Sequence, residues 1–138
     1  MTGPVGRAVL KAPTILSFEV RIKGRAAHAG FEPEKGIHAI QIMGRGIGAL
    51  KLGRVDEETT LNIGLISGGS VVNAVPELSV CRGEIRSYVH EKALSSLESV
   101  REVFARAVEG TGEELTLSSE VSMQNYLIWR MEPDWWRS

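Results

Sequence analysis

Apolar and polar residues alternate from Leu16 to Lys23. Leu16, Phe18, Val20 and Ile22 stand between Ser17, Glu19, Arg21 and Lys23. A period of two predicts a strand with one buried face. Pro4, Gly6 and Pro13 make the stretch before it an irregular lead-in, and Gly24 ends the strand. Residues 25–36 are rich in Gly, Pro and small side chains and read as a loop. Pro33 suits a helix's first turn, and Ile37, Ile40, Met43, Ile47 and Leu50 recur at helical spacing. The expectation is a helix from Pro33 capped at its C-terminus by Gly53. Gly44, Gly46 and Gly48 interrupt it, each costing about 1 kcal/mol relative to Ala.

Thr59 to Ile66 predicts a second strand, with Leu61, Ile63 and Leu65 on one face. Ser67-Gly68-Gly69-Ser70 breaks it, and a second loop, Val71 to Glu77, carries Asn73 and Pro76. Leu78 to Ser87 reads as a third strand whose alternation falters at Arg82-Gly83, the expected place for a bulge. Leu94, Leu97, Val100, Phe104 and Val108 trace a second helix stopped by Gly110 and Gly112. Leu115, Leu117, Val121 and Met123 alternate in a fourth strand. The order β-α-β-β-α-β predicts an α+β, ferredoxin-like fold: a four-stranded antiparallel sheet with two helices on one face.

Composition narrows the function classes. Lys+Arg is 16 against Asp+Glu 17, a net charge of -1, which offers no general attraction to nucleic acid or acidic membranes. The strands also lack the aromatic pairs of an RNA-binding sheet. With 43% apolar residues, 138 residues suffice for one domain with a real core. The single cysteine, Cys81, excludes an internal disulfide and a multi-cysteine zinc site, and reads as a small strand hydrophobe. Three histidines, His28, His38 and His90, leave little for a metal centre, and none is followed two residues later by Asp. The longest apolar runs are too short to cross a bilayer and Met1 to Pro4 does not begin a signal peptide, so a soluble cytoplasmic domain is expected.

The two loops hold the chemistry. His28 lies among Ala26, Ala27, Ala29 and Gly30 with no bulky neighbour to bury it, so its ring should project. Asn73 either caps its own turn or binds a ligand. Arg86 either grips a carboxylate in a bidentate way or pairs with Glu84 on the sheet. Glu57-Glu58 and Glu113-Glu114 read as solvated acidic pairs, and His38 at a helix start and His90 at a strand-to-helix turn as structural or solvated residues. The Gly44-Arg45-Gly46-Ile47-Gly48 run, lying inside a helix, is no phosphate loop and should permit another backbone to approach.

Three ordered motifs, GRAAHAGFEPEKGIHAI, TTLNIGLISGGSVVNAVPE and GEIRS, together resemble the dimerisation (lid) domain of the dinuclear zinc exopeptidases. That family includes peptidase T, carboxypeptidase G and aminoacylase, and the peptidase-T-like branch is the nearest. The resemblance implies a lid in which His28 reaches the partner's active site and helps hold the scissile carbonyl and its oxyanion. It implies that Asn73 contributes there too and that Arg86 grips a substrate carboxylate. It further implies a homodimer through the first helix and the second strand, with Thr60 to Ile66 as the pairing edge, and short peptides as substrates. The two zinc ions would lie in a separate catalytic domain, with no metal in this chain, which alone would be inactive. Residues 1–13 would lead in from that domain, 14–125 form the lid, and 126–138 be a truncated return linker or tail. The alternative is a stand-alone ferredoxin-like module that binds a small ligand or regulates a partner enzyme.

Overall fold

The computed structural model describes residues 13–111, 114–123 and 128–131. Expectations for residues 1–12, Gly112, Glu113, Trp135 and Trp136 lie outside them. The chain order begins β1 (Thr14–Lys23), β2 (Ala27–His28), a 3-10 turn at Pro33–Lys35 and α1 (Ala39–Gly48). It continues with β3 (Gly53–Asp56), β4 (Thr59–Gly68), β5 (Ala74–Val75), β6 (Leu78–Ser87), α2 (His90–Val108), β7 (Glu114–Met123) and β8 (Ile128–Met131).

The main sheet runs β3-β4-β6-β1-β7-β8, antiparallel at every pairing. Its inner four strands are the expected ferredoxin-like set, in the order β4-β6-β1-β7. The alternation in β1 works as predicted: Leu16, Phe18, Val20 and Ile22 are buried while Ser17, Arg21 and Lys23 are exposed. Beneath that face lie Ile42 and Met43 of α1 and Leu97, Val100 and Phe104 of α2, all buried in one cluster with Cys81 and Ile85 of β6. No helix is long and apolar enough to cross a membrane among the described residues.

Four details correct the sequence-based expectations. Among the described residues β3 and β8 extend the expected four-stranded sheet by one strand on each side. Gly53 does not cap the first helix; it opens β3 with φ of 91°, while Ala49 is the cap. The helix does not start at Pro33 either. Pro33–Lys35 makes a single 3-10 turn, Gly36 is extended, and Arg25 and Ile37 then exchange backbone hydrogen bonds at 3.0 and 2.9 Å. Only afterwards does His38 cap α1, its Nδ1 accepting from the Gln41 amide at 3.2 Å.

The fourth correction is the bulge. It lies not at Arg82-Gly83 but opposite, between Ile63 and Leu65 of β4, where Gly64 is the extra residue. A bulge shifts the face on which later side chains emerge. Leu65 therefore pairs with exposed Arg82 and is itself 63% exposed, and does not join Leu61 in the core. Gly83 keeps a regular register, and the position demands glycine, because a Cβ there would lie 2.4 Å from the Phe18 ring and 2.5 Å from the Asn62 carbonyl oxygen. β3 pairs with Thr59 to Leu61, so the outer edge of β4 is covered there and begins only at Asn62.

Candidate functional site

The two motif loops meet. β2 and β5 form a two-residue antiparallel ladder, pairing Ala27 with Val75 and His28 with Ala74. The Ala29 amide donates to the Asn73 carbonyl at 3.0 Å, and the Gly24 amide to the Glu77 carbonyl at 2.7 Å. On the far side the Ala39 amide donates to the Pro76 carbonyl at 3.1 Å, fastening the second loop to the start of α1. His28 and Asn73 are thus neighbours held by backbone, and both side chains are exposed.

His28 sits at the head of a closed turn: the Glu32 amide donates to its carbonyl at 3.0 Å. Its ring Nδ1 accepts from two amides, those of Gly30 at 3.0 Å and Phe31 at 3.1 Å. A neutral imidazole carries its proton on one nitrogen and accepts at the other. These partners assign the proton to Nε2, leaving an N–H donor for something outside the turn. The Phe31 ring packs against the imidazole with centroids 4.5 Å apart, tilted by 37°. Glu32 and Lys35 are ion-paired at 2.8 Å across the next turn.

Arg86 lies elsewhere. It is eight residues beyond Leu78 along β6, about 26 Å at roughly 3.3 Å per residue, opposite Ile15 and Thr60. Its Nε donates to Glu84 at 2.7 Å, and this hydrogen bond raises the guanidinium pKa further above its usual value. The sheet pairing considered from sequence therefore exists. The structure brings His28 and Asn73 together and leaves Arg86 at the opposite end of the strand.

The remaining candidates have structural partners. His38 caps α1, and His90 Nδ1 lies 3.2 Å from Thr14 Oγ1. Glu58 is not simply solvated, because Lys92 donates to it at 2.6 Å. A cavity of about 340 Å³ opens between the Ser67 to Val71 and Ala74 to Leu78 segments, with Glu77 its one charged lining residue. Among the described residues no group of three or more His, Cys, Asp or Glu could hold a metal ion. Sequence reasoning missed Phe31, whose signal was a lone aromatic in a loop of small residues.

The decisive comparison is with families. The description of the peptidase dimerisation domain matches residues 11–112. The chain belongs to that family. Bacillus subtilis protein YqjE, of uncharacterised function, is 40% identical over 119 residues, covering 86% of this chain and 32% of YqjE. Aminopeptidase PepT of Bacillus cereus superposes with a TM-score of 0.76 at 34% identity, over 90% of this chain and 33% of PepT. A tripeptidase of Staphylococcus aureus gives 0.76 at 33% identity, over 88% and 31%. The chain thus spans about a third of the length of these relatives.

Proposed function

We propose that this dimerisation domain caps the active site of a zinc-dependent, peptidase-T-like exopeptidase acting on short peptides, and lends residues to the partner subunit's site. One observation carries the reading: the Gly30 and Phe31 amides are both spent on His28 Nδ1, so an outward Nε2–H is pre-set as a donor. A fixed donor aimed at developing negative charge is worth about 3–4 kcal/mol in the transition state. His28 would hold the scissile carbonyl and its oxyanion, with Asn73 beside it. On the family resemblance, the zinc ions would be bound by residues of a separate catalytic domain. When bound they would activate the attacking water.

The separation of Arg86 from His28 supports a division of labour between subunits. A tripeptide spans roughly 10 Å when extended, well short of the length of β6 between them. The carboxylate gripped by Arg86 and the carbonyl held by His28 of one chain would belong to two different substrate molecules. The chain alone would be inactive. We place the protein in the cytoplasm, which suits a lone, buried Cys81.

A mixed-dimer experiment on the full-length protein tests this. One subunit carries His28→Ala and the other lacks the zinc-binding residues. If His28 works in trans, random pairing restores roughly a quarter of wild-type activity, because half the dimers are mixed and each has one complete site. Activity no higher in the mixture than in the separate variants would overturn it.

A further inference from the structure

Phe31 is a residue of this region that the proposed catalysis does not use. It is 82% exposed although large and apolar. Its backbone is tied into the turn: its amide donates to His28 Nδ1 at 3.1 Å, and the Glu32 amide closes the turn on the His28 carbonyl. One face of the ring covers the imidazole at 4.5 Å. The rest of its surface stands open, on the same short turn as the Nε2–H donor.

We infer that Phe31 is a specificity-determining residue, an aromatic wall for an apolar side chain next to the carbonyl that His28 binds. The inference rests on the role proposed for His28 and adds to it the class of substrate: peptides with a large aliphatic or aromatic residue flanking the scissile bond. A group that accepts from Nε2–H must approach the exposed edge of the imidazole, and the Phe31 ring is already in contact with that imidazole. An apolar substituent there removes both itself and the ring from water, whereas a glycine offers nothing to cover the ring. Substitution is tolerable to the fold, since an exposed turn side chain contributes little to the core.

The test uses the full-length enzyme loaded with zinc and two tripeptide series, alike except for Leu or Gly at the position flanking the scissile bond. In wild type kcat/KM favours Leu over Gly, and Phe31→Ala lowers that ratio about tenfold, mainly through KM for the Leu peptides. Phe31→Tyr, which keeps the ring, restores the ratio. His28→Ala run in parallel lowers kcat for both series. An unchanged Leu-to-Gly ratio in Phe31→Ala, with His28→Ala still impaired, overturns the inference and leaves the role of His28 standing. A His28→Ala enzyme as active as wild type overturns the role of His28 and the inference with it.

Discussion

The ring of Phe104 fills the space beside Gly46. A Cβ at position 46 would fall 2.3 Å from Cε1 and 2.4 Å from Cδ1 of that ring, so glycine lets α1 and α2 meet. Arg45 spans the same junction, donating to the Ala107 carbonyl at 3.3 Å. The expected close approach is therefore real, though it is to a side chain and not to another backbone. Gly46→Ala should destabilise the domain by about 1–3 kcal/mol, the usual cost of overpacking. At Gly44 and Gly48 a Cβ meets nothing within 4 Å, so Ala there should stabilise by about 0.4–1 kcal/mol each. Denaturant melts of the three variants check the contrast.

His28→Ala should cost the domain about 0.5–2 kcal/mol, because it removes the acceptor of the Gly30 and Phe31 amides in an exposed turn. In the full-length enzyme it should lower kcat by about 10²–10³ with a smaller change in KM, as for loss of one oxyanion donor. Steady-state kinetics with a short peptide separate the two constants. A rise in KM alone would mean that His28 binds the ground state and transition state equally.

Glu19 predicts a pH dependence. Hydrogen bonds from Arg82 at 3.0 Å and Arg21 at 3.1 Å hold its carboxyl below the usual range. A lowered folded-state pKa stabilises the protein above the unfolded value of about 4.3, and that stability is lost as pH falls through the folded value. Glu19→Gln should cost up to about 1 kcal/mol at neutral pH, the upper range for such partly exposed pairs. The gap from wild type should close on acidification and shrink in high salt. Melts at a series of pH values and salt concentrations measure it.

Cys81 should be inert in the native protein. Burial pushes its thiol up to about 11, which leaves on the order of one thiolate in a thousand at pH 8. A thiol reagent at that pH should modify nothing until guanidinium unfolds the chain, and then titrate one thiol. Reaction at a rate independent of denaturant would contradict the buried placement.

Burial of a single continuous face is what makes a strand legible, and β1 shows it in full. In β4 the same reasoning holds through Ile63 and fails at Leu65, because Gly64 is extruded by register with β6, which local alternation does not encode. β3 was invisible for another reason. Gly53, Arg54, Val55 and Asp56 carry no periodic pattern, and only pairing with β4 makes them a strand. Pro33 was a fair helix-start signal, overridden when the Arg25–Ile37 bridge drew the chain back alongside the first loop. Both motif loops could be picked out as chemically unusual. That they meet depends on a two-residue ladder joining positions 45 apart or more, too short to leave any trace in hydrophobic pattern. The remoteness of Arg86 needed the direction of β6.

The clasp between β2 and β5 makes loop opening a collective event. The amides of Gly24, Ala29 and Ala39 all bond to carbonyls of the 73–77 segment, at 2.7, 3.0 and 3.1 Å. The first two cannot be released by a hinge in either loop alone. In native-state hydrogen exchange Gly24 and Ala29 should therefore share one opening free energy, as members of a single foldon, well above that of a frayed surface turn. Whatever the His28 donor gains in readiness from this clasp, it gains by surrendering the loose, independent motion that surface loops ordinarily keep.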